Sequence, residues 1–413
     1  MKQLDTRNVI RHRSYNRFDK IASFVLLISP IIMTYALGSY NYAFILTSVL
    51  AIISLLKKGF NIKDYPRHIL FFLLYWLFIH IITANSISEL FSLGLIRILL
   101  CYLMYLGLRE KEFFYKTYRI ICTIVISFFF LQVIMFNIFG YRVPGVTTIL
   151  PLAIEIDKSD YFTKIMYGER SSSFFSEPAA FVEYIFPLLC IELFRHKKIN
   201  KVIVSILVIA LLLTESGTAL FGLTAVLLMF VGKVVFQSKQ LVSKFIVVFL
   251  SIVVIVFSVY LYSSTEIGQR LLDRQSQLDS NDSSNESSGF VRIYRGFYVF
   301  SSMNTLEQII GNDSPSKIKS QIAACHLEIS EDESNELYFN TLQTVLIRTG
   351  YIGTFLFFLL LAGLFHQSDY CGKSLVVLLF VLSFISSMLF TEVMAIYFLF
   401  IIRNERCLAP PKR

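Results

Sequence analysis

The sequence predicts an all-α polytopic integral membrane protein with about twelve transmembrane helices (eleven to twelve) and two long extracytoplasmic loops. Three observations predict it. The first is composition. Of 413 residues, 55% are hydrophobic and only 16% charged, and the mean hydropathy is +0.64. Soluble domains carry about 25% charged residues. The second is a series of apolar runs near 21–37, 41–56, 68–84, 90–108, 119–139, 179–194, 199–213, 216–236, 244–262, 345–365 and 374–402. A helix rises about 1.5 Å per residue, so roughly 20 apolar residues cross the hydrocarbon core. The third is where the basic residues fall between those runs.

With the N-terminus inside, the inside segments carry Lys2, Arg7, Arg11, Arg13, Arg17 and Lys20, then Lys57, Lys58, Lys63 and Arg67, then Arg109, Lys111, Lys116 and Arg119. Arg195, Lys197, Lys198, Lys201, Lys233, Lys239, Lys244 and Lys373 continue the pattern. The short turns near 38–40, 85–89 and 214–217 carry no Lys or Arg. This is the asymmetry of the positive-inside rule. The last run, 374–402, is long for one span and short for two. Splitting it near Phe390–Glu392 keeps Arg403, Arg406, Lys412 and Arg413 inside and gives twelve spans. Eleven spans, or a re-entrant segment, is the alternative. Both termini are then cytoplasmic, and residues 1–413 form a single membrane domain.

The formal charge of +9 sits in short inter-span loops, which argues for topology and against nucleic acid. Six cysteines form no CxxC pair; Cys101, Cys122 and Cys190 lie in or beside apolar runs and read as small hydrophobes. The polar, basic first twenty residues do not read as a cleavable signal peptide. No HExxH, P-loop, GxSxG or dinucleotide glycine pattern occurs. No metal and no cofactor is expected.

Two loops are long, 140–177 and 263–336. The second holds 12 acidic and 6 basic residues and a Ser/Asn/acid-rich stretch, Asp279–Gly289. Four segments carry candidate chemistry. In the first, Glu169–Phe181, Glu177 precedes Pro178, which suits a helix first turn near the positive end of the dipole. A helix cap with snorkelling charges is the plain alternative. The second, Thr214–Thr218, turns two spans and also reads as an ordinary polar turn. The third, near 289–310, places Phe290, Ile293, Tyr294, Phe297 and Phe300 on one helical face with Arg292 and Arg295 opposite. It reads as an interfacial amphipathic helix. Two guanidinium groups so spaced can grip a phosphate or touch lipid headgroups. The fourth runs from Ser334-Asn335-Glu336 to Arg348-Thr349-Gly350-Tyr351-Ile352-Gly353. Arg348 and Arg97 lie within apolar runs, where an Arg faces the bundle interior or a wet cavity. His80, alone in the third span, reads as a satisfied interior histidine.

In order and sidedness these segments resemble the bacterial O-antigen and exopolysaccharide repeat-unit polymerase family, which is related to the O-antigen ligases. The pieces are Arg170 to Pro178, Glu215 to Thr218, Arg292 and Arg295 followed by Gly311, and Asn335 leading to Gly350 and Gly353. One departure stands out: Ser334 precedes Asn335 where related members often place His, and the outer-loop histidine His326 lies eight residues earlier. The resemblance implies a metal-independent membrane glycosyltransferase acting at the outer face of the bacterial cytoplasmic membrane on undecaprenyl-pyrophosphate-linked oligosaccharides. It implies Glu177, Arg170, Arg292 and Arg295 as catalytic residues and Ser172, Ser173, Glu215, Asn335, Arg348 and Arg97 as substrate-binding ones. A chain-length regulator, a flippase and membrane lipids are the implied partners. The competing expectations are a lipid-linked oligosaccharide flippase or transporter, and an O-antigen ligase.

Overall fold

The computed structural model describes residues 17–37, 40–58, 67–87, 111–147, 149–152, 170–195, 199–237, 294–325, 339–389 and 391–402. The runs at 90–108 and 244–262, and the sites Arg97, Arg292 and Asn335, lie outside the described residues. Among those described, the chain forms thirteen helices and one two-residue strand pair, Ala36–Leu37 with Tyr40–Asn41. We number the helices α1 (Arg17–Ile32), α2 (Tyr42–Lys58), α3 (Arg67–Thr83), α4 (Lys111–Phe139), α5 (Pro178–Phe194), α6 (Lys201–Leu212) and α7 (Gly217–Gln237). They continue as α8 (Arg295–Ser302), α9 (Thr305–Ile310), α10 (Pro315–Ala324), α11 (Thr341–Gln367), α12 (Tyr370–Leu382) and α13 (Glu392–Ile402). The helices follow the apolar runs closely. Among the described residues, three segments, 113–139, 217–235 and 341–367, are long and apolar enough to cross a membrane, and six further apolar helices are shorter. This is consistent with an all-α membrane protein.

Polar residues set the helix ends, because each N-terminus leaves backbone N–H groups without intrahelical partners. Asn200 caps α6, Asn304 caps α9, Ser314 caps α10 ahead of Pro315, and Asp369 caps α12. Asn340 and Gln343 form a reciprocal capping box on α11. Pro178 opens α5 as its first-turn position suggests, with Glu177 at the N-cap in extended geometry. Helix α5 is hydrophobic nearly all round and buried nearly all round, packing against α4, α6, α7, α12 and α13. Helix α12 then links this group to α11, which lies along α3.

The last apolar run is divided, but earlier and over a longer stretch than the sequence suggests. Helix α12 has 13 residues and α13 has 11, about 20 and 17 Å, each shorter than the roughly 30 Å core. The break persists because other groups take up its backbone bonds. Leu342 N and Thr341 N donate to the carbonyls of Ser383 and Ser386, and the Thr341 hydroxyl oxygen accepts from Met388 N. Asn340 Nδ2 donates to Phe384 O. Non-helical backbone among apolar helices is tolerated only when satisfied in this way.

Cross-chain contacts fix which helix ends lie together. Tyr370 at the start of α12 donates to Met229 O late in α7, and its ring lies against Phe194 at the end of α5. Lys20 lies over Phe113 at the start of α4. His68 of α3 meets Gln367 at the end of α11. One end of the bundle therefore gathers Arg17, Lys20, Arg67, Lys111, Lys116, Arg119, Arg195, Lys201, Lys233 and Lys373. The other gathers the end of α3, the start of α5, the α6–α7 turn, the start of α11 and the α12–α13 break.

The segment read as one amphipathic helix near 289–310 is two helices in its described part. Met303 is extended and Asn304 caps a new helix, so α8 stops at Ser302. Its faces also differ from the expected ones. Arg295, Gly296, Val299 and Phe300 turn inward, and Tyr294, Phe297 and Tyr298 are exposed. Phe300 therefore shares a face with Arg295 rather than opposing it. Gly296 permits this close seat on α11, since a Cβ there would lie 2.6 Å from the Gln343 side chain.

Candidate functional site

A loop, Gly311–Ser314, joins α9 to α10 and lies against both α3 and α11. Two glycines make the approach. Gly311 has φ 95, and a Cβ on it would sit 2.4 Å from Arg348 O; Gly350 has φ 63, and its Cβ would sit 2.5 Å from Ile309 O. Both conformations suit glycine and strain other residues. Gly350 also kinks α11. Backbone thus rests on backbone, and Asn312 N donates to Ile347 O at 3.0 Å.

That approach delivers Asp313 into a polar cluster. Its Oδ1 accepts from Arg348 Nη1 at 2.7 Å, and its Oδ2 accepts from Trp76 Nε1 at 3.1 Å and lies 2.7 Å from His80 Nδ1. Asp313 N donates to Thr83 Oγ1 at 3.1 Å. Asp313 is 2% exposed and His80 3%, whereas the Arg348 side chain is 20% exposed. A carboxylate is acceptor-only, so the His80 Nδ1 facing it carries the proton. Trp76 and His80 are four residues apart, one helical turn, and so share the face of α3 turned to this loop. A carboxylate fixed by three donors holds Arg348 in one orientation, and a guanidinium has five N–H donors, so Arg348 can grip Asp313 and an anion together.

Around the cluster the loop is tied down. Glu307 accepts from Asn312 Nδ2 at 2.8 Å and from Gln321 Nε2 at 3.1 Å. Asn85 donates to the Ser314 and Ser316 hydroxyls. Arg295 is 4% exposed, with its guanidinium 5.9 Å from the Phe339 ring centroid, just before the Asn340 cap.

The remaining candidates lie at the same end of the bundle. Ser171–Phe175 forms a turn seated on the second half of α4. Ser173, with φ 56, donates its hydroxyl to Val125 O, and its backbone exchanges two bonds with the Gln132 amide. The Ser172 hydroxyl donates to Phe175 O. Both serines are buried and hold the turn, a use that the substrate-binding expectation did not include. Arg142 Nε donates to Ser171 Oγ at 2.8 Å while its guanidinium stacks 3.7 Å from the Phe136 centroid. Arg170 is half-buried and Glu177 exposed. Glu215 is half-buried in the α6–α7 turn at φ 50, flanked by buried Thr214 and Ser216. Glu392, at the start of α13, is fully buried.

Of the expected site residues, the structure brings Arg348 into the cluster and seats Arg295 at the start of α11. Sequence reasoning missed Asp313, Trp76 and Arg142. It read His80 correctly as satisfied but did not find its partner. A signal existed for Asp313: an acid two residues after Gly311, to be matched with a lone His and an Arg in apolar runs. Among the described residues no group of three His, Cys, Asp or Glu is placed to hold a metal ion. No known protein-family model matches the chain, and no curated protein matches it significantly.

Proposed function

We propose that this chain is a metal-independent membrane glycosyltransferase that polymerises undecaprenyl-pyrophosphate-linked oligosaccharide repeat units into O-antigen, capsule or exopolysaccharide. It works at the outer face of the bacterial cytoplasmic membrane. In this reading the chain has twelve spans with both termini cytoplasmic, the basic end of the bundle inside and the candidate residues outside. The observation that carries the reading is a buried mixed-charge cluster, His80–Asp313–Arg348, at the same end of the bundle as Arg295, Glu177 and Glu215. Structural caps and turns do not require a buried charge cluster, and buried charges among apolar helices mark functional sites.

In the reaction, an acceptor sugar hydroxyl attacks the anomeric carbon of the donor glycan. The bond from that carbon to the pyrophosphate oxygen breaks, and the hydroxyl proton passes to a base. Arg348 and Arg295, with Arg170 and Arg292, stabilise the charge growing on pyrophosphate. Asp313 positions Arg348. Glu177 takes the proton, held at its N-cap by Pro178 and the helix behind it.

The test is complementation of a deletion strain, read as a glycan ladder at matched protein levels. Loss of a polymerase leaves single capped repeat units. Loss of a ligase leaves long glycan on carrier lipid, and loss of a flippase leaves no repeat units on the outer surface. Alanine at Arg348, Arg295 or Arg170 is expected to lower polymerisation by about 10²–10³-fold, as for a lost oxyanion donor. Lysine is expected to do nearly as badly, because a point charge does not copy the planar fork. Glu177→Gln is expected to abolish chains. Normal ladders in all four variants would remove the assignment.

A further inference from the structure

The exposed side of α8 and α9 is aromatic and aliphatic: Tyr294, Phe297, Tyr298, Leu306 and Ile309 all point away from the protein, Tyr298 at 53% and Leu306 at 65% exposure. On a water-facing loop such a surface is unfavourable. Three observations say what covers it.

The first is depth. Tyr75 donates to Ile310 O at 3.0 Å, and Tyr75 stands eight residues, about 12 Å, short of the end of α3 at Thr83. Gly350, against which Ile309 and Gly311 rest, is nine residues, about 14 Å, past the start of α11. Two helices therefore place α9 well below the bundle's end.

The second is continuity. At this depth the flanking helices still turn large apolar groups outward: Phe78, Ile81 and Ile82 on α3, and Tyr351, Ile352 and Phe355 on α11. The inward-turned Phe300 packs edge-on against Tyr351 at 5.1 Å, setting α8 beside the apolar stripe of a helix long enough to cross a membrane.

The third is how the chain breaks are satisfied. Gln308 Nε2 lies 3.1–3.3 Å from the carbonyls of Phe300, Ser301 and Met303 at the end of α8. The Asn304 side chain takes Glu307 N, and that of Asn312 takes Ser314 N. Backbone groups served by side chains rather than left to solvent are what a water-poor setting demands.

We infer that the outward face of α8 and α9 is a lipid-contacting surface, seated among the acyl chains and headgroups of one bilayer leaflet. Residues 294–314 are then a membrane-embedded wedge rather than part of an aqueous loop. Exposed Lys317 and Lys319 on α10 mark the wedge's upper edge, at the level of lipid phosphates. Tyrosines at the boundary suit their mixed character. The inference stands independently of the enzymatic reading.

The test uses full-length protein in lipid nanodiscs with Tyr298→Trp, Leu306→Trp and Lys319→Trp as reporters. All three positions are exposed, so the fold tolerates the change. The chain's single tryptophan, Trp76, is fully buried and supplies a common background to subtract. Brominated lipid is expected to quench the 298 and 306 reporters about twofold more than the 319 reporter. Aqueous iodide is expected to show the reverse order. Iodide quenching at 298 and 306 without lipid quenching would overturn the inference in favour of a water-facing surface. Neither quencher acting, together with disulfide dimers of Leu306→Cys, would overturn it in favour of a second copy of the chain.

Discussion

The two ends of the bundle use charge in opposite ways. At the basic end, Lys and Arg stand at helix ends with much of their charge in water. The buried carboxylate described there, Glu192, accepts from the Tyr115 hydroxyl at 3.1 Å and lies 3.6 Å from Arg119, a side chain 44% exposed. At the other end, Asp313 is closed in with Arg348, His80 and Trp76. Screened charges cost little to keep and fix orientation in the membrane. Enclosed charges persist only when every partner is in place. The first end keeps its charge largely in water, and the second encloses it among packed helices, which makes the second the place to look for chemistry.

The comparison breaks most readily at Asp313. Asp313→Ala leaves Arg348 and His80 without their shared acceptor, and it is expected to cost about 3–5 kcal/mol. Thermal unfolding in detergent measures it; a loss below 1 kcal/mol would mean the cluster is wet and loosely held. Gly311→Ala comes next. It forces a side chain onto Arg348 O at positive φ, and about 2–4 kcal/mol is expected from strain and overpacking. Gly350→Ala should match it, since its Cβ would meet the backbone of Ile309 and Gly311 as closely.

A sharper comparison comes from coupling energies. A double-mutant cycle of Asp313→Asn with Arg348→Gln is expected to give more than about 1 kcal/mol. The same cycle on Glu192→Gln with Arg119→Gln is expected to give less than about 1 kcal/mol, because Arg119 is half in water. Equal values would erase the distinction between the ends. The smallest effect is expected at Lys201→Ala, within about 0.5 kcal/mol of wild type in the same melts.

How much of this was legible beforehand differs by element. Helix positions were, from α1 to α7 and at α11, because hydropathy is local in the chain. Pro178 marked the start of α5 for the same reason. The inward and outward faces of α8 were not legible. Tyr294, Phe297 and Tyr298 bring large rings to one side while Val299 and Phe300 bring apolar groups to the other, so periodicity alone cannot say which set meets protein. The serines of 171–173 carried the chemistry of a ligand site and of a tight turn alike, and the fold used the described hydroxyls of Ser172 and Ser173 for the turn.

The sequence by itself determined that this is a helical chain rich in membrane-length apolar runs, where the helices lie, and which connections carry the positive charge. Those properties depend on neighbours within a few residues. Tertiary structure alone decided that His80 and Asp313, 233 positions apart, share a hydrogen bond, and that Arg348 completes the cluster. A lone histidine, aspartate or arginine in an apolar run demands a partner, but nothing in its own segment names one. The partner is chosen by packing, here by two glycines that let α9 and α11 meet backbone to backbone.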